Sequence, residues 1–248
     1  MLNRLASLVF WAFIAVSSVL LFPLALLLWL VTLPFDRRGV ALHRFTCFWA
    51  SLYTWLNPLW PVTVRGRERV DPHTTYVMVA NHLSLLDILV LFRLFRHFKW
   101  VSKIENFKVP LIGWNMRLNR YIPLKRGDRA SVVEMLARCE VTLRSGSSIL
   151  MFPEGTRSKD GHLQPFKPGA FDLAIRLGLP ILPVVVTGTA DALPKHGFVL
   201  RGHQTIGVEV LEPIPSESYE GLDAVALAAR TRAMYAAHLG EPPPADPI

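Results

Sequence analysis

The stretch Tyr76-Val77-Met78-Val79-Ala80-Asn81-His82-Leu83-Ser84-Leu85-Leu86-Asp87 decides the fold. Its first five residues form an unbroken apolar run, which reads as a strand buried on both faces. The mostly apolar residues that follow, with Asp87 in the first turn, read as a helix over 85–95. A histidine at the end of such a strand, with a carboxylate five residues on, is placed for proton transfer. Asp87 would hold one ring nitrogen of His82 and leave the other to take a proton from a substrate hydroxyl. The same spacing also suits a histidine that merely caps a helix, so the pair must be weighed with the rest of the chain.

Downstream, short apolar runs alternate with longer amphipathic ones. Strands are predicted at 75–80, 100–102, 121–124, 148–152, 181–186 and 206–211. Helices are predicted at 85–95, 106–118, 129–144 and 169–177, with Asp128 as N-cap of the third, and a last one at 222–238 before Pro242. This alternation implies an α/β fold: a largely parallel sheet flanked by helices, with active-site loops at the strand ends.

Upstream, residues 5–35 carry no charged side chain. That run can cross a hydrocarbon core of about 30 Å as a helix, or enter and return as a hairpin bent at Pro23. It is too long for a signal peptide and no small-residue cleavage site follows. Arg37, Arg38, His43 and Arg44 crowd its C-terminal flank, which by the positive-inside rule puts the catalytic domain on the cytoplasmic face of the cytoplasmic membrane. Residues 45–60 are aromatic and uncharged; they suit a helix lying in the interface, or one packed on the following domain. The expected organisation is a membrane anchor with interfacial helices over 1–60, an α/β domain over 61–240 and a disordered tail over 241–248.

The 248 residues carry a formal charge of +8, and the mean hydropathy of +0.32 is high for a soluble protein. The charge favours an anionic partner: nucleic acid, a phospholipid surface or a phosphorylated substrate. Cys47 and Cys139 show neither metal spacing nor a disulfide framework, which suits a reducing compartment.

A second constellation, Phe152-Pro153-Glu154-Gly155-Thr156-Arg157-Ser158, also follows a predicted strand. Gly155 permits close backbone approach, Thr156 and Ser158 offer hydroxyls, and the planar fork of Arg157 matches phosphate oxygens. With Lys159 and Lys167 nearby, it reads as an anion site. Between the two constellations runs a basic series, Lys103, Lys108, Arg117, Arg120, Lys125 and Arg126. Lys103 and Arg126 stand out because each falls at the end of a predicted strand.

Together these blocks resemble the bacterial 1-acyl-sn-glycerol-3-phosphate acyltransferases of the glycerolipid acyltransferase superfamily. Residues 81–87 look like the family's His-x4-Asp block. Gly113 through Tyr121-Ile122-Pro123-Leu124-Lys125-Arg126 is similar to its second, which ends in arginine, although Lys125 stands where an acidic residue is common. Residues 152–158 match its third block, and Leu179-Pro180-Ile181-Leu182-Pro183-Val184 resembles its fourth. The resemblance implies transfer of a fatty acyl group from a thioester to the sn-2 hydroxyl of lysophosphatidic acid, giving phosphatidic acid without a covalent acyl-enzyme. It assigns His82 as general base and Asp87 as its orienting partner. Glu154, Gly155, Thr156 and Arg157 fall to the acceptor site, with Lys103 and Arg126 beside Arg157 on the phosphate. No cofactor or metal is implied; the acyl donor is acyl-coenzyme A or acyl carrier protein, and the other partners are membrane phospholipid and lysophosphatidic acid. A different lyso-lipid acceptor fits the same blocks.

Other readings fit less of the sequence. A serine hydrolase built on Ser84 lacks a Gly-x-Ser-x-Gly elbow. A metal site on His82 and Asp87 lacks an obvious third ligand. Nucleic-acid binding leaves the apolar N-terminus unexplained, and a silent lipid-binding adaptor has no need of the His82 and Asp87 pair.

Overall fold

The structure, a computed structural model, describes residues 2–195 and 197–241; the expected tail beyond Glu241 lies outside them. In chain order the elements are α1 (Leu2–Thr32), α2 (Val40–Trp55), β1 (Val62–Arg65), β2 (Val77–Ala80), α3 (Leu86–Leu91), β3 (Phe98–Lys103), α4 (Ile112–Leu118) and β4 (Ile122–Leu124). These are followed by α5 (Arg129–Arg144), β5 (Ser148–Met151), α6 (Gly169–Leu177), β6 (Ile181–Thr187), α7 (Thr189–Ala192), β7 (Ile206–Val210) and α8 (Ala224–Leu239).

The seven strands form one sheet in the order β1-β7-β6-β2-β5-β3-β4. Strands β2, β3, β4, β5 and β6 run parallel, β7 pairs antiparallel with β6, and β1 pairs parallel with β7. The largely parallel α/β fold is therefore present, with one reversal near an edge. Every residue of β2 and β5 is buried, as expected of central strands covered on both faces. Alternation along β2 feeds two cores. Met78 and Ala80 join Phe98, Trp100 and the residues of α2 and α3 on one face; Val77 and Val79 meet Phe171 of α6 and Tyr235 of α8 on the other.

Several expectations need correction. Strand β1 is absent from the sequence reading; it forms because residues 206–209 of β7 offer it an edge. Strand β3 begins at Phe98, two residues before the predicted start. The helix predicted over 106–118 is split into a 3-10 stretch, Ile104–Lys108, and α4. Pro110 supplies the reason: it lacks an N–H and drives Val109 out of the helical region, to φ −66° and ψ 122°. The helix predicted over 85–95 is α-helical only to Leu91, continues as a 3-10 turn, and stops where Phe95 turns left-handed. The Asp128 cap forms, its carboxylate accepting from the Ser131 amide.

Helix α1 passes through Pro23 without reversing, so the hairpin alternative is not adopted. It is long and apolar enough to cross a membrane, at about 46 Å by the 1.5 Å rise per residue, and is a candidate membrane anchor. It touches the body at a few places. The Ser17 hydroxyl meets Tyr53 of α2 at 2.9 Å, Trp11 donates to the Phe198 carbonyl at 2.7 Å, and the ring of Phe22 lies edge-on to Trp114 of α4. Helix α2 itself is packed on the domain. Trp49, Tyr53 and, just beyond it, Trp60 are buried, while Phe48 and Trp55 are exposed.

Candidate active site

Five parallel strands release their C-terminal ends at one end of the sheet, and the singled-out residues gather there. β2, fourth of the seven strands, ends at Ala80 and delivers His82 near the middle. Asn81 anchors the turn by acting as a piece of strand: its amide donates to the Val186 carbonyl and accepts from the Val186 amide, both at 2.8 Å. The backbone pairing of β2 with β6 is thus prolonged by a side chain. Just before this point the Tyr235 hydroxyl enters between the two strands, donating to the Val79 carbonyl at 2.7 Å and accepting from the Val184 amide at 2.9 Å.

His82 is buried, and its Nδ1 lies 2.8 Å from Asp87 Oδ2. That same carboxylate oxygen accepts from the amides of Leu83 at 2.7 Å and Ser84 at 2.9 Å. The other, Oδ1, accepts from the hydroxyl of Thr189 at the start of α7. Four donors thus converge on one fully buried carboxylate, which suits its acceptor-only form. With Nδ1–H donated to Asp87, the tautomer of His82 is fixed, and Nε2 makes no hydrogen bond among the described residues. The imidazole lies flat on Phe152, with ring centroids 3.9 Å apart and planes 12° from parallel, and Trp100 stacks behind Phe152 at 5.7 Å. Ser84 is buried with its hydroxyl donated to the Leu193 carbonyl at 2.6 Å, so it supports the loop and is no exposed nucleophile.

The loop after β5 grips His82 from the other side. Glu154 is buried: Oε1 accepts from the His82 amide at 2.6 Å and Oε2 from the Gln164 amide at 3.1 Å. The Ser158 amide returns a bond to the His82 carbonyl at 2.8 Å. Both backbone polar groups of His82 are therefore held by the second constellation. Burial pushes the Glu154 carboxyl up to about 7; the charges of Asp87 and Glu241 add to the rise, and the two amide donors oppose it. Gly155 has φ +70°, and a Cβ there would come within 2.7 Å of the Lys167 amine, so the approach its glycine permits is that of Lys167.

Thr156 is exposed and Arg157 half-exposed on this loop. Burial first, then the like charge of Arg157, lowers the pKa of Arg126. Lys195 is lowered by burial and by the charges of Lys159, Arg157 and Arg126, and its amine bonds the Arg157 carbonyl. Lys103, level with Leu124 in the β3–β4 register, pairs with Glu105 at 3.4 Å. Arg126, Arg157, Lys159 and Lys195 thus lie close enough to act on one another, a cationic cluster whose sign suits an anion. Sequence reading missed Thr189, Lys195 and Tyr235. A polar residue just past the strand 181–186 was the only available signal for Thr189.

Two grooves lie away from His82. One, of about 530 Å³, runs between the N-terminal part of α1 and residues 56–60; the other, of about 610 Å³, lies beside β4.

Residues 61–187 match the Acyltransferase family. A chloroplastic 1-acyl-sn-glycerol-3-phosphate acyltransferase of Brassica napus is 37% identical over 214 residues, covering 86% of this chain and 62% of that protein. The 1-acyl-sn-glycerol-3-phosphate acyltransferase of Saccharomyces cerevisiae is 39% identical over 162 residues, 63% of this chain and 52% of the yeast protein. The chain thus spans about three-fifths of the length of the Brassica relative. Among solved structures, the 1-acyl-sn-glycerophosphate acyltransferase PlsC from Thermotoga maritima superposes with a TM-score of 0.74 at 21% identity, over 96% of this chain and 98% of that one; at that identity the likeness speaks for the fold.

Proposed function

The chain belongs to the acyltransferase family, and from that membership we propose that it acylates the sn-2 hydroxyl of 1-acyl-glycerol-3-phosphate, making phosphatidic acid. The observation that carries the reading is the disposition of His82. Its Nδ1 is held by Asp87, its backbone is held by Glu154 and Ser158, and its remaining nitrogen makes no hydrogen bond among the described residues.

In this mechanism Nε2 takes the proton of the acceptor hydroxyl as that oxygen attacks the thioester carbonyl. The tetrahedral oxyanion collapses, the carbon–sulfur bond breaks, and the imidazolium returns the proton to the departing thiolate. No acyl-enzyme forms, and Asp87 offsets the transient charge on the ring. General-base assistance contributes roughly 10²- to 10⁴-fold, so fixing the acceptor must supply much of the rest. Arg157, with Arg126 and Lys103, binds the phosphate, and the Thr156 hydroxyl lies on the same rim. Glu154 braces His82, since both its oxygens are taken by backbone amides. The donor thioester is carried by coenzyme A or by acyl carrier protein. The acceptor and product both partition into lipid, which gives α1 its use as an anchor, with the basic flank at 37–44 and the catalytic domain on the cytoplasmic side.

Membranes carrying the protein, given lysophosphatidic acid and an acyl thioester, should form phosphatidic acid. His82→Ala should lower this by about 10²- to 10⁴-fold at unchanged protein level; turnover near the wild-type rate in that variant would remove the base.

A further inference from the structure

The groove of about 530 Å³ between the N-terminal part of α1 and residues 56–60 falls in the size range of small-ligand sites. Its walls are apolar: Leu5, Val9 and Phe13 of α1 line it together with Leu56, Leu59 and Leu200. Arg201 is the one charged residue among the described residues that border it. A polar occupant would lose its hydration there with little in return. Leu5 and Val9 are strongly exposed, so the groove opens on the outer side of α1, where a lipid surface would meet it.

Its place in the fold ties it to His82. Just past the C-terminus of α1, Arg38 donates to the Gly146 carbonyl, below the start of β5. Near the N-terminus of α1, the Ser7 hydroxyl accepts from the Leu200 amide, in the connection from β6 to β7 at the opposite end of the sheet. Helix α1 therefore runs against β2, and its N-terminal half stands at the end where His82 lies. The groove is also on the same face as the histidine. Phe10, Tyr53 and Trp60 share one core with Met78, Ala80 and Trp100, and Phe152, on which the His82 ring lies, packs against that core.

The register gives the separation. Ala80 pairs with Val184, Val186 with Val208 and Val208 with Val64, so His82 is about level with Val64. The β1–β7 pairing continues outward from there: the Pro61 carbonyl accepts from the Ile206 amide at 3.0 Å, and the Leu59 carbonyl from the Gln204 amide at 2.9 Å. Three strand spacings across and the four residues from Val64 to Trp60 amount to about 20 Å, the reach of an extended palmitoyl chain. The β6–β7 connection bridges this interval. At one end the Leu193 carbonyl takes the Ser84 hydroxyl of the His82 loop, and at the other Leu200 borders the groove. Between them Phe198 and Val199 are exposed, and Trp11 of α1 meets the Phe198 ring edge-on at 5.6 Å, which extends the apolar surface toward the site.

An order across the strand ends results. Lys103 ends β3, Arg126 follows β4 and Arg157 follows β5, all on one side of β2; the groove lies past β6 and β7 on the other, with His82 between. The glycerol of a lysophosphatidic acid carries its groups in the same order: phosphate at sn-3, free hydroxyl at sn-2, acyl ester at sn-1. With the phosphate on the cations and the hydroxyl at His82, the chain points to the groove.

We propose that the α1 groove binds the sn-1 acyl chain of the acceptor and thereby selects a lyso-lipid whose chain is long enough to reach it. This rests on the acyl-transfer reading and deepens it by giving the acceptor's chain a site.

The test holds one palmitoyl thioester fixed as donor, of coenzyme A or of acyl carrier protein, and compares hexanoyl- with palmitoyl-lysophosphatidic acid on detergent-solubilised full chain. Each buried methylene adds to binding, so wild type should show a KM at least tenfold lower for the palmitoyl acceptor; indifference to chain length would overturn the proposal. In Val9→Trp, and separately in Leu59→Trp, both of which fill the groove, KM for the palmitoyl acceptor should rise at least tenfold, with less than a twofold change for the hexanoyl acceptor. Val9→Ile should keep the wild-type pattern. Equal losses with both acceptors, or no change with either, would overturn the site. So would a shift confined to the chain-length preference among donors, because it would give the groove to the donor's chain. Photolabelling reads occupancy in the wild type: a lysophosphatidic acid with a diazirine at the end of its chain should mark residues within 3–13 or 56–60, and labelling confined to other segments overturns the proposal. Failure of the wild type to make phosphatidic acid from either acceptor with either donor would instead strike the acyl-transfer reading.

Discussion

Two buried histidines stand at opposite ends of the same sheet and are treated differently. His43, on α2, is fully enclosed; its Nε2 donates to the Arg96 carbonyl and its Nδ1 accepts from the Tyr121 hydroxyl, each at 2.9 Å. Phe98 meets its ring edge-on at 4.7 Å. Burial, with the charges of His97 and Lys99, holds it well below the usual histidine range. His82 gives one nitrogen to Asp87 and keeps the other unbonded. Burial and a polar neighbour therefore do not separate a reactive histidine from a structural one. The nitrogen left without a hydrogen bond among the described residues does.

The largest effect should come from exchanging the two fates. His82→Ala should lower turnover by about 10²- to 10⁴-fold with little change in the unfolding midpoint. His43→Ala should do the reverse: about 2–4 kcal/mol of stability lost, from the cavity and the orphaned Tyr121 hydroxyl and Arg96 carbonyl, with the folded fraction keeping its specific activity. A His43 variant that melts normally yet turns over poorly would break the comparison.

Next in size is Glu154→Gln, which faces one backbone amide with a donor. Displacement of the histidine loop should cost about 10²-fold in kcat while KM for lysophosphatidic acid stays within twofold. A rise confined to that KM would move Glu154 from bracing His82 to binding the acceptor. Arg157→Ala should be milder, raising acceptor KM by about ten- to a hundredfold as one charge-assisted contact is lost. An equal loss with an acceptor lacking phosphate would argue against that contact.

The smallest effect is on pH and sharpens the contrast between the ends. Burial, then the charges of Lys99 and Arg38, depresses His97 to about 3. A depressed histidine contributes stability that is present above its unfolded pKa of about 6.5 and is lost as pH falls toward the folded value. Glu154, raised to about 7, works in the opposite sense: its contribution is full below about 4.5 and is lost as pH rises through 7. Thermal midpoints should therefore fall below pH 6.5 less steeply in His97→Gln than in wild type, by about 1 kcal/mol per unit at most. Parallel curves would remove His97 from the account.

What could be read from the sequence follows from what is local. β2, β5 and β6 announce themselves because these central strands are apolar apart from Ser148 and Thr187 at their ends, and α5 through its Asp128 cap. β1 does not, since Val62–Arg65 alternates with polar residues and pairs only with a strand beginning at Ile206. The break at Pro110 was written in the sequence but outweighed by the apolar residues around it. At the site, the five-residue interval from His82 to Asp87 closes as a hydrogen bond within one loop. The partners of Glu154 are backbone amides 72 and 10 positions away, and no residue identity encodes where an amide will point. Thr189 and Tyr235 escaped for the same reason, acting across 102 and 156 positions.

The Tyr235 hydroxyl between β2 and β6 also sets a schedule. At synthesis rates of about 5–20 residues per second, the interval from Val79 to Tyr235 takes roughly 8–30 s. Until α8 leaves the ribosome, the paired strands behind His82 lack the hydroxyl that bridges Val79 and Val184. α1 precedes both in the chain, so a nascent chain has its apolar helix well before its active end is braced. On the proposed function, attachment of α1 to a bilayer would come before competence, so acyl transfer would begin only where the lipid acceptor is already at hand.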